Sequence, residues 1–103
     1  MNKHISLIHD LTPFSLEANC QAISDLFAQD ELDADALLIL VQERDELILK
    51  HLPTLQSEEK KEYINKELEV NNKLVEITSH LQKEQKQRLL GLVRGRSAVS
   101  KYK

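Results

Sequence analysis

Leu16, Cys20, Ile23, Leu26 and Phe27 recur at spacings of three and four, the mark of a helix with one apolar face. Thr12 followed by Pro13 reads as an N-cap with proline at the first helical position, where its missing N–H is one of the unpaired donors in any case. The pattern therefore predicts a first helix from about Pro13 to Gln29. Upstream, Ile5, Ile8 and Leu11 fit either a short lead-in helix or an arm laid across the other elements. "DELD", residues 30 to 33, is a polar break in which Asp30 or Asp33 can cap a second helix, with Asp35 at its positive end. From Ala34 to Lys50 the apolar positions Leu37, Leu38, Leu40, Val41, Leu47, Ile48 and Leu49 are dense. Pro53 then disfavours helix at Leu52 and forces a turn.

Ser57 reads as the cap of a third helix, with Glu58 and Glu59 in its first turn. Its stripe runs through Tyr63, Ile64, Leu68, Val70, Leu74, Val75, Ile77 and Leu81, and no Gly or Pro interrupts the chain before Gly91. A helix continuous from Ser57 to Val93 would be roughly 55 Å long, against about 25 Å for the second helix. Two short neighbours cannot cover such a rod. The polar run "QKEQKQR", residues 82 to 88, then reads as the uncovered overhang. Beyond it Leu89, Leu90, Leu92 and Val93 need a surface: the chain folds back at Gly91 or Gly95, dimerises through this segment, or offers it to a client. The expected fold is all-α, an antiparallel helical bundle of three to four helices with a long third helix and a mobile C-terminal segment that docks weakly.

Composition sharpens this picture. With 103 residues the chain is read as one domain, and only two Gly and two Pro leave room for few, long elements. No apolar stretch approaches bilayer length and "MNKHISLIHDL" lacks a secretory apolar core, so the expectation is a cytoplasmic protein without membrane insertion. Charge is uneven: residues 1 to 85 hold all 17 acidic side chains and 8 basic ones, while residues 86 to 103 hold 6 basic side chains and no acid. Within the acidic run from Asp25 to Glu46, Arg44 is the only basic residue. The basic end, residues 94 to 103, is therefore expected to be a flexible tail that meets either the acidic body or an external partner.

Candidate chemistry is sparse. His4 and His9 are five residues apart, would diverge on a helix and have no ligand-spaced neighbour, while His51 lies beside the Pro53 turn and His80 on the third helix, so all four read as surface or turn residues and no metal is expected. Cys20 is alone, which excludes an intrachain disulfide and makes a buried small hydrophobe its expected role. The carboxylate pairs, such as Glu43 with Glu46, lie among Lys and Gln in solvated faces, and no phosphate-cradling glycine loop is present. Neither an enzyme nor a cofactor is expected. Arg94, Arg96, Lys101 and Lys103 with Tyr102 suggest a nucleic-acid arm, but the acidic body and single aromatic argue against nucleic acid. Asn71 and Asn72 read first as a solvated face, and otherwise as a polar notch in a helix seam.

Taken in order, "ALLILVQERDELILKHL", a proline turn, "NNKLVEITSHL", a glycine-interrupted end and a closing "SKYK" resemble the FliT-type flagellar export chaperones. The likeness runs over about residues 20 to 103 and leaves residues 1 to 19 unmatched. It implies an antiparallel helical bundle that holds the filament-cap protein of the flagellum soluble in the cytosol before export. It further implies contact with the export ATPase and export gate and, in some bacteria, with a transcriptional regulator of flagellar genes. By position, Leu74, Ile77 and Leu81 would line the client groove with Leu40 and Ile48 opposite. Leu89, Leu92 and Val93 would form a movable cover, Arg94 and Arg96 its electrostatic latch, and Tyr102 the contact for the export gate. The rival class is a structural coiled-coil adaptor or a nucleic-acid-binding regulator acting through the basic tail.

Overall fold

The chain folds into four helices, with no strand among the described residues: α1 (Phe14–Ala28), α2 (Ala34–His51), α3 (Ser57–Glu76) and α4 (Lys83–Leu90). The computed structural model describes residues 6–77 and 81–95, the last two by their backbone alone. The expected antiparallel bundle is what forms. Asn19 of α1 donates to Leu40 O at 2.9 Å and to Glu43 at 3.0 Å, so the first two helices run against each other across a short loop.

Local chemistry explains each boundary. Pro13, extended at φ −68° and ψ 152°, precedes α1 without a side-chain cap, so the helix begins one residue later than predicted. The Thr12 hydroxyl is engaged elsewhere, accepting from the His9 N–H at 2.8 Å. Asp33 does cap α2, accepting from the Ala36 N–H at 3.1 Å. Leu52 keeps helical dihedrals despite preceding Pro53, because the chain tightens into a 3-10 turn, Leu52–Thr54, and breaks only after the proline. The cap of α3 is Gln56 rather than Ser57: its backbone N–H and side chain exchange bonds with Glu59 in a capping box.

The continuous rod over residues 57 to 93 does not form. Helix α3 ends at Glu76, with Ile77 as its C-cap. The chain restarts at Gln82, extended at φ −68° and ψ 158°, to begin α4. The third helix is the longest at 20 residues, but α2 has 18, so the expected twofold mismatch in length is absent. The reason is burial. A straight helix would carry Leu89 about 18 Å past Ile77 into solvent, whereas the break returns Leu89 and Val93 to the core, 0% and 4% exposed.

One apolar cluster unites the bundle. Leu16, Cys20, Ile23 and Phe27 meet Leu37, Val41 and Ile48 of α2 and Tyr63 and Leu74 of α3. Cys20 is a buried, free thiol, as expected. Of the two upstream alternatives, the arm is found: residues 6–9 have no regular structure, and Leu7 is fully buried. Of the expected mobile tail, residues 94 to 103, the backbone of the first two closes the turn after α4, and residues 96 to 103 lie outside the described residues, as do His4 and His80.

Candidate functional site

Helix α4 carries only one fully buried side chain, Leu89, next to a half-buried Leu90, and its first six residues read Lys-Glu-Gln-Lys-Gln-Arg. Gly91 opens a wide π-helical turn, Gly91–Gly95, that brings Val93 onto the cluster and leaves Leu92 half-buried. Together, helix and turn pack on α2, and the turn also reaches α3.

Beside them runs a groove of about 720 Å³. Leu38, Ile39 and Gln42 of α2 form one wall, and Gln87, Arg88 and Leu92 the other. Ile39 is 68% exposed there. Along the same face of α2, at helical spacing, stand Gln42, Glu46 and the half-exposed Leu49. The groove is thus a mixed surface, with Leu38, Ile39 and Leu92 set among Asp35, Gln42, Gln87 and Arg88, of the kind an amphipathic helix can cover.

The residues assigned by position divide as follows. Ile48, Leu74 and Ile77 are buried in the core, while Leu40 and Leu81 sit half-buried at its edge. Leu89 and Val93 belong to the same cluster, and Leu92 packs against it. The structure therefore brings the assigned groove and the assigned cover residues into one packed body. The side chain of Arg94, and all of Arg96 and Tyr102, lie outside the described residues.

A buried polar network was missed at the sequence level. Arg44, 2% exposed, donates through Nη1 to Asn71 Oδ1 at 2.7 Å and through Nη2 to Glu67 Oε1 at 3.0 Å and Glu67 O at 3.3 Å. Glu67 is wholly buried, which corrects the view that the carboxylates lie in solvated faces. Asn71 is the polar notch and Asn72 the solvated neighbour, so the two asparagines divide between the readings. His9 is likewise no simple surface residue: its Nε2 lies 3.3 Å from Glu67 Oε1. His51 packs edge-on against Tyr63, with ring centroids 4.9 Å apart.

This network sets the titration of its neighbours. Burial pushes the Cys20 thiol up to about 11, with the Arg44 charge opposing and Glu67 adding to the rise. Burial and then the Glu67 charge hold the Tyr63 phenol well above its usual range. Both groups keep their protons in the fold at pH values where the unfolded chain releases them, so stability must fall as pH rises above the ordinary thiol range. The melting temperature is expected to drop between about pH 8 and about pH 10.5, and to drop less in Cys20→Ala. Equal melting temperatures at the two pH values would contradict the assignment.

Among the described residues, no three His, Cys, Asp or Glu side chains group as metal ligands. Nor is any helix among them long and apolar enough to cross a membrane. Comparison with known proteins gives no match to a family model, a curated protein or a solved structure. The groove and its polar cover are the features from which a function must be argued.

Proposed function

We propose that this protein is a FliT-type flagellar export chaperone that binds the filament-cap protein in the cytosol, prevents its premature assembly and delivers it to the export apparatus. The supporting observation is the placement of α4. Helix α4 and the turn after it return two aliphatic anchors, Leu89 and Val93, to the body formed by α2 and α3, beside an open groove in which Leu38, Ile39 and Leu92 stand among polar side chains. A client helix with a broader apolar face competes for that seat. Ile39 and Leu92 at the groove edge meet it first, and displacement of α4 opens access toward Leu40 and Leu81. In this reading Arg94 and Arg96 latch the cover onto the acidic body, and Tyr102 meets the export gate. The same surface serves the export ATPase and, where present, a flagellar regulator in turn.

Calorimetric titration with a C-terminal fragment of the filament-cap protein tests the reading. Wild-type chain is expected to bind, and Ile39→Asp to weaken binding by about tenfold or more, since it puts a charge where an aliphatic contact forms. Ile39 is largely exposed, so the variant should keep its fold. Equal affinity would remove the groove from the account, and no binding by either chain would remove the chaperone. Salt separates the rival class: binding to phosphates through the basic tail falls steeply with salt, whereas a helix in an apolar groove is nearly indifferent.

A further inference from the structure

The arm, residues 6 to 12, is held to both α1 and α3. Ser6 O accepts from Lys73 Nζ of α3 at 3.1 Å, and the Cys20 thiol of α1 points at Leu7 O at 3.8 Å. Leu7 itself is 1% exposed, whereas Ile8 next to it is 44% exposed. His9 then sets Nε2 3.3 Å from Glu67, and Asp10 reaches Lys66 at 3.8 Å. The contacts on α3 thus retreat from residue 73 to residue 66 as the arm advances from 6 to 10. Seven helical residues rise about 10 Å and four extended residues span about 13 Å. Residues 6 to 10 therefore run antiparallel to α3, with Leu7 buried and Ile8 and Asp10 exposed on either side of His9, before the chain turns into α1.

We infer that its seat between α1 and α3 is a peptide-binding groove in its own right, occupied in cis by residues 6 to 12. Its recognition elements have the form of a receptor. Two side-chain donors from different helices read backbone carbonyls, an apolar socket takes one aliphatic side chain, and the buried Glu67 carboxylate faces a polar ring two positions on. The ligand class is an extended segment of aliphatic–x–imidazole pattern. The cis segment is covalently continuous with α1 through a tight turn, in which Thr12 N–H donates to His9 O at 3.2 Å and Leu11 N–H to His9 Nδ1 at 3.0 Å. That tether gives it a high effective concentration over any competitor. This site is separate from the α2–α4 groove and does not depend on the chaperone reading.

The experiment uses the full chain and a capped, fluorescent peptide of residues 6 to 13, SLIHDLTP. Leu7→Asp and the milder Leu7→Ala weaken the cis segment and free the seat. Both variants are expected to bind the peptide at least about tenfold more tightly than wild type does, and a peptide carrying Leu7→Asp to bind them roughly ten- to a hundredfold less well. Equal binding to wild type and variants, or none to the variants, would overturn the inference. Loss of the helical signal in both variants would also overturn it, by making Leu7 a core residue rather than a ligand.

Discussion

Arg44→Met is expected to destabilise the bundle by about 3–5 kcal/mol, because it leaves the Glu67 carboxylate wholly buried without its cation. In a chain of this size the melting temperature should fall by more than about 10 °C. The attraction itself is not the source of that figure. Among the described residues, Glu67 Oε2 and Arg44 Nε are buried without a hydrogen-bond partner, so the network is incompletely satisfied there and its net contribution is small. The double variant Arg44→Met with Glu67→Met should consequently recover most of the lost stability, as apolar replacements of buried ion pairs do. Chemical denaturation of the wild type, the two single variants and the double variant checks this. A single substitution costing under about 1 kcal/mol, or a double variant no better than the singles, would contradict it.

Leu74→Ala and Leu89→Ala remove the same atoms from equally buried sites, each 0% exposed, yet should differ in kind. Leu74 lies in α3 within the core cluster, and truncation should cost about 3–5 kcal/mol of global stability. Leu89 is the sole fully buried residue of α4, so on this account α4 detaches while α1 to α3 stay folded. Its truncation should speed amide exchange over residues 83 to 95 and leave exchange in α1 nearly unchanged. Uniform acceleration in both variants would mean that α4 is an integral part of the core rather than a cover.

The fold class was legible because helical periodicity survives in α1, α2 and α3 with few Gly and Pro to confuse it. The break before α4 was not, since the segment lacks any strong helix breaker: what ends α3 is the gain from returning Leu89 and Val93 to the core. The polar network left a trace that pattern reading passed over. Glu67 and Asn71 stand at helical spacing from Tyr63 and Leu74, in the middle of the apolar face, and Arg44 is the lone cation of an acidic run. Each taken singly has an exposed reading, and only their meeting in space makes burial affordable. The open groove at Ile39 was hidden because the sequence marks which residues are aliphatic, not which of them a neighbour fails to cover.

The central claim is that α4 occupies a client's seat. Calorimetric affinity for the filament-cap fragment, measured for the wild-type chain and for Leu89→Ala, tests it most directly. Removing a competitor from a shared surface must favour the client, so the account predicts tighter binding by Leu89→Ala than by wild type. Equal or weaker binding by the variant, with its bundle intact, would contradict it.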